Sequence, residues 1–107
     1  MAKGKSNFKH TAQTNGKKWK AIFTDPQEEP RHLRDFVEKE HAHFYLASYK
    51  IAYKLLKDHE KAKAFMDLPN LNFGGASPLA LIVSYRGHKV LKFCEVAEEE
   101  SKPLSES

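Results

Sequence analysis

Residues 64–93 read AFMDLPNLNFGGASPLALIVSYRGHKVLKF, and this stretch decides the fold. Pro69 ends the helix before it, because proline has no N–H to give and its ring clashes with the preceding turn. Asn70 to Ala76 then read as an ordered loop with Leu71 and Phe73 turned inward, where Gly74-Gly75 adopt backbone angles closed to larger residues. Ser77-Pro78 is a helix start, since a serine hydroxyl caps a free amide and proline suits the first turn. The LALIVS that follows is almost wholly apolar and predicts a short buried helix. Ser84 reads as the cap of a last helix, Tyr85 to about Ala97, that buries Val90, Leu91 and Cys94. Gly87 lets that helix approach a neighbour closely.

Upstream, Ala42, Leu46, Tyr49, Tyr53 and Leu56 recur at helical spacing, Ile51 and Leu55 widen the stripe, and Leu33, Phe36 and Val37 begin it. The spacing predicts one long helix of about 25 residues from Arg31. At Asp58 the chain either caps a new turn or simply bends, and HEKAKAFMDL continues as a helix that buries Ala62, Phe65 and Met66. Thr24 to Pro30, TDPQEEP, reads as a linker. Before it, FKHTAQTNGKKWKAIF centres on Asn15-Gly16, a pair that favours a two-residue hairpin turn. That turn sets Phe8 opposite Phe23, His10 opposite Ala21 and Ala12 opposite Trp19. Residues 1–7 read as disordered. The expected fold is all-α: a small helical domain with one long helix packed by three shorter C-terminal helices, and a basic N-terminal arm with room for a short β-hairpin. Residues 1–30 form the arm and linker, 31–97 the helical domain, and 98–107 an acidic tail.

At 107 residues the chain is one domain by size, and 40% apolar residues suffice for a modest core. Its single cysteine, Cys94, excludes an internal disulfide framework and a cysteine-rich zinc site. The lysine-rich start does not resemble a signal peptide, and no apolar run approaches the ~18–20 residues of a membrane span, so a soluble cytoplasmic protein without membrane contact is expected. Residues 1–20 hold six lysines and no acid, while residues 95–107 hold five glutamates and one lysine. Such asymmetry suits electrostatic steering toward partners, and equally a solvated surface.

Six histidines raise the question of a metal. His41 and His43 lie on different faces of a helix, and the Glu38/His41 and Glu40/His43 pairs lack a matching second set, so no metal is expected. Cys94 sits among apolar neighbours as an inert thiol, and the serines fall at helix starts or in the tail. Gly74-Gly75 lacks the strand and Gly-Lys-Ser/Thr of a phosphate loop. The expectation is no enzyme and no cofactor. Lys9, Lys17, Lys18 and Lys20 flank Trp19, a pattern that suits nonspecific contact with nucleic acid.

The order of parts in the C-terminal half resembles the toxin-binding domain of the MbcA/ParS/Xre antitoxins. The resemblance rests on Phe65, Pro69-Asn70, Gly74-Gly75, Ser77-Pro78-Leu79, Leu81-Ile82, Gly87 and Val90-Leu91-Phe93. It implies an antitoxin that binds an NAD-consuming RES-domain toxin and occludes its active site. Residues 1–40 do not supply the whole helix-turn-helix that members typically carry, so the resemblance implies toxin binding and leaves operon repression open. Ala80 also stands where members often have an acid, and Val83-Ser84-Tyr85 is bulkier than their usual turn. The partner-binding residues expected on this reading are Asn70, Asn72, Arg86, His88, Lys89 and Lys92, with Glu98, Glu99 and Glu100 as an anionic plug for a cationic cleft. Pro69, Gly74, Gly75, Ser77, Pro78 and Gly87 shape the motif. The alternative is a phage- or plasmid-type nucleic-acid-binding or anti-defence accessory protein that uses the basic arm; self-association stays open in either case.

Overall fold

The computed structural model describes residues 11–13 and 18–100, the first three through their backbone alone. Expectations for residues 1–7, for the Asn15-Gly16 turn, and for Phe8, Lys9, His10 and Lys17 lie outside the described residues. A three-stranded antiparallel meander opens the fold, with β1 (Thr11–Gln13), β2 (Trp19–Asp25) and β3 (Glu28–Phe36) in that spatial order. Helices α1 (Lys39–Leu56) and α2 (His59–Asp67) follow, then a 3₁₀ turn (Leu71–Phe73), α3 (Pro78–Leu81), a π-type kink (Ile82–Arg86) and α4 (Gly87–Glu100).

The helical domain carries an N-terminal sheet larger than the short hairpin expected, and fewer helices than expected. Residues 31–36, expected to begin the long helix, belong to a nine-residue strand, and the boundary expected at residue 30 falls inside it. The misleading signal was Leu33 and Phe36, three apart and both buried, which is helical spacing. A strand achieves it here through a bulge: Ala21 pairs with Arg34 and Ile22 with His32, which leaves Leu33 as an extra residue. A second register shift spans Pro30, a residue that strands accept only at edges or bulges. Thr24 to Pro30 is therefore a hairpin and not a linker; Asp25 Oδ1 accepts from the Gln27 N–H at 2.9 Å and closes its tip.

The pairing of β1 with β2 differs by one residue from the expected register. Thr11, and not His10, lies opposite Ala21, and Gln13 lies opposite Trp19.

Three helical stretches follow the sheet, where one long and three shorter helices were expected. Lys57, in a left-handed conformation (φ 58°), ends α1, and Asp58 starts α2 by accepting from the Lys61 N–H at 3.0 Å. The third stretch runs from Pro78 to Glu100. Ser77 caps it as read, accepting from the Ala80 N–H at 3.0 Å. Ser84 does not cap α4: its hydroxyl donates to the Ala80 carbonyl at 2.7 Å and closes α3, while Tyr85 takes a left-handed backbone (φ 67°). Helix α4 therefore starts at Gly87.

The centre of the fold is α1, packed by the sheet, α2 and α4. Ala21, Phe23, Leu33 and Phe36 from the sheet meet Ala42, Tyr45, Leu46, Tyr49 and Ala52 of α1, and Phe65, Met66, Ile82, Val90 and Cys94 complete the core. At Gly87 a β-carbon would stand 2.7 Å from the Phe44 ring and 2.9 Å from its Cβ, so α1 and α4 touch where only glycine fits. Val37 and Leu71, expected inside, are 74% and 76% exposed. No helix among the described residues is long and apolar enough to cross a membrane.

Candidate functional site

Two grooves flank the helical core. One, of about 430 Å³, lies between β3 and α2 and is lined by Arg31, Tyr49, His59, Lys63, Asp67 and Leu68 among others. Most of its inner polar groups are paired with one another. Glu28 accepts from His59 Nε2 at 3.0 Å, so the ring's Nδ1 accepts in turn from the Tyr49 hydroxyl at 2.6 Å. Tyr53 stacks on His59 with ring centres 4.2 Å apart, and Phe23 meets the same ring edge-on. Tyr45 donates to Asp67 at 2.8 Å, and Lys63 and Arg34 pair with the same carboxylate at 3.2 and 3.8 Å. Burial, reinforced by Asp67, raises the Tyr45 hydroxyl pKa well above its ordinary value, and burial pushes Tyr49 up to about 12. This network ties hairpin tip, α1 and α2 together. The sequence reading missed it, because its partners lie up to 31 residues apart.

The second groove, of about 620 Å³, lies between the 70–76 loop and α4, and its lining includes Asn72, Arg86, His88, Lys89 and Lys92. Five of the residues expected to bind a partner thus meet in one place. Helical spacing explains the α4 members, since residues three and four apart share a face. Phe73, Leu81 and Phe93 line the same groove, and Phe73 and Phe93 meet edge to face at 5.0 Å. Phe93 also stacks on Phe65 of α2 at 6.3 Å. No carboxylate lines this groove, and no hydrogen bond or ion pair among the described residues engages the side chains of Arg86, His88, Lys89 or Lys92.

The other expected residues take internal roles. Asn70 Oδ1 accepts from the Asn72 N–H at 2.8 Å, and its carbonyl accepts from Phe73 and Gly75 at 2.9 and 3.0 Å, so it fastens the loop from within. Pro69 directly precedes this knot, and Gly74 and Gly75 take positive φ of 68° and 93° at its tip. Ser77 and Pro78 set the direction of α3 beneath the groove. Glu98, Glu99 and Glu100 are helical and belong to α4, and Glu98 pairs with Lys54 of α1 at 2.6 Å.

The basic arm is divided by its strand. Trp19 shares the helix-facing side of β2 with buried Ala21 and Phe23, under Lys39 Nζ at 5.2 Å from its ring centre. Lys18 and Lys20 alternate to the opposite face. The described lysines and the tryptophan therefore do not form one patch. Cys94 is buried, its thiol pushed up to about 12 by that burial, and the described residues contain no cluster of three or more His, Cys, Asp or Glu able to hold a metal. Compared with known proteins, the chain matches no family model, no curated protein and no solved structure.

Proposed function

We propose that this chain is a binding protein of antitoxin type, which inhibits a partner enzyme by laying the α4 face over its active site and turns over no substrate itself. The observation that carries the reading is the second groove: four basic side chains without partners among the described residues rim a floor of Phe73, Leu81 and Phe93. An apolar centre inside a polar rim is how protein interfaces are built, and cations kept unpaired on the surface favour an acidic partner. The resemblance to the toxin-binding domain supplies the partner's class, an NAD-consuming RES-domain toxin. The non-enzymatic part of the reading draws on Cys94, held neutral by burial, and on His59, with both ring nitrogens engaged.

The test is capture from the native host with the full chain, followed by an NAD-consumption assay of what is captured. The expected outcome is a captured protein that consumes NAD and is inhibited by the chain, with inhibition falling at least about 100-fold for the Arg86→Glu/Lys89→Glu variant. Inhibition that survives the charge reversal overturns the groove as the docking face. Binding that weakens steeply with salt and follows added DNA would favour the nucleic-acid reading instead.

A further inference from the structure

A third, smaller cavity of about 150 Å³ opens beside the basic groove, lined by Glu40, His41, Phe44, Ile82, Tyr85, Gly87 and His88. His88 is common to both. Three features of its wall are chemically specific. The side chain of His41 is buried, with the residue only 7% exposed, yet its Nε2 has no hydrogen-bond partner. Tyr85 is held over His41 with ring centres 4.8 Å apart, on a left-handed backbone that a bulky residue rarely adopts. Its hydroxyl donates to Glu38 Oε2 at 2.6 Å, which fixes the ring as one wall of the cavity. Gly87, packed tightly against Phe44, also lines it.

An orphaned buried ring nitrogen beside an open cavity points to a ligand, because native structures pair nearly all such atoms. The chemistry of the wall selects among ligands. An anion would meet the Glu40 carboxylate, with Glu38 close behind. A metal would need a third donor, and the described residues hold no such cluster. A purely apolar group would leave Nε2 unpaired. The volume lies below the ~300–1,000 Å³ of small-molecule sites, so the occupant has the size of one side chain.

We infer that the His41 cavity receives the ammonium end of a lysine presented by a partner protein. Nε2 accepts one ammonium N–H, which requires the ring to carry its hydrogen on Nδ1. Glu40 supplies the counter-charge at the rim, and the Phe44 and Tyr85 rings offer faces to the cation. The lysine pocket stands on its own residues and does not depend on the basic groove being occupied.

Imidazole and backbone nitrogen resonances of the ¹⁵N-labelled full chain, titrated with Nα-acetyl-lysine methylamide, test this. The neutral analogue Nα-acetyl-norleucine methylamide, which has the same carbon chain but no ammonium, serves as control. Affinity for a fragment of this size is roughly millimolar. The expected result is a saturable shift of the His41 ring nitrogens and of the Tyr85 and Gly87 amides, with Nε2 unprotonated at the start. Norleucine amide should bind at least about tenfold more weakly, and Glu40→Gln, at an exposed position, should weaken lysine amide by about fivefold. His41→Phe keeps a ring against Tyr85 but has no lone pair, and should abolish the shift; should that variant fail to fold, Glu40→Gln decides alone. Equal binding of the two amides, a shift unchanged in Glu40→Gln, or no saturable shift by about 20 mM each overturns the pocket.

Discussion

The two large grooves differ in what their polar groups are doing. Between β3 and α2, Glu28, His59, Tyr49, Tyr45, Asp67 and Lys63 bond to one another; between the loop and α4, Arg86, His88, Lys89 and Lys92 face solvent over an aromatic floor. The first arrangement stabilises the fold, since Glu28, His59, Tyr49, Tyr45 and Asp67 are all paired as they are carried inward. The second adds little to stability and leaves its charges available. The difference separates a groove that is part of the framework from one suited to an outside molecule, although both are concave and comparable in size.

The strongest way to break this comparison is His59→Ala. It removes a ring stacked on Tyr53 and met edge-on by Phe23, and leaves the Tyr49 hydroxyl without its partner. We expect a loss of about 3 kcal/mol in urea unfolding, with partner binding unchanged once folded. A loss below about 1 kcal/mol would mean that the network is decorative. Next comes Gly87→Ala, which drives a methyl group against the Phe44 Cβ and ring and should cost about 2 kcal/mol through separation of α1 from α4. Because Gly87 also lines the cavity beside the basic groove, this variant should weaken partner binding as well, which His59→Ala should not.

Those two sites also mark what the sequence could tell. Gly87, Ser77-Pro78, Asp58 and the Pro69 stop were legible because each acts through local geometry or a contact that demands a missing side chain. The α1 stripe was legible from Ala42 onward for the same reason: its period is local. The strand β3 was not, since its bulge at Leu33 converts the two-residue period of a strand into the three-residue step of a helix. The His59 network was hidden for another reason, as it joins three elements whose proximity only the hairpin creates. On the candidate site, helical spacing in the expected last helix, Tyr85 to about Ala97, was enough to gather Arg86, Lys89 and Lys92, although Arg86 itself lies just before α4. It was not enough to show that Asn70 bonds within its own loop or that Tyr85 leaves the helix.

Cys94 is buried on α4, which packs against α1, and alkaline titration tests how dry that part of the core is. Burial raises its folded pKa to about 12 from an ordinary thiol value near 9.0. The folded state thus holds a proton that the unfolded state releases, so the stabilising contribution is complete below about pH 9 and falls as pH rises toward 12. The slope from this group should approach about 1.4 kcal/mol per pH unit, and Cys94→Ala should remove that part of it in unfolding measured between pH 8 and 11. An unchanged slope would place the thiol in contact with water. By contrast, Arg86→Ala/Lys89→Ala/Lys92→Ala should alter stability by less than about 1 kcal/mol in total while abolishing partner capture, the reverse of His59→Ala.

The smallest expected effect separates two roles for the end of α4. Glu98 carries either an anion offered to a partner's cationic cleft or a strut between helices. Its carboxylate already meets Lys54 Nζ at 2.6 Å, and both side chains are partly open to water, so the pair contributes about 0.5 kcal/mol at most. A glutamate held this way gives up its α1 contact before it can enter another site, which makes it a poor plug. Glu98→Gln should therefore lower stability by less than about 0.5 kcal/mol, by an amount that vanishes in molar salt, and should leave inhibition of the partner unchanged. Inhibition that drops in Glu98→Gln but not in Lys54→Met would show instead that the carboxylate itself reaches the partner, and would extend the docking face from the basic groove to the far end of the helix.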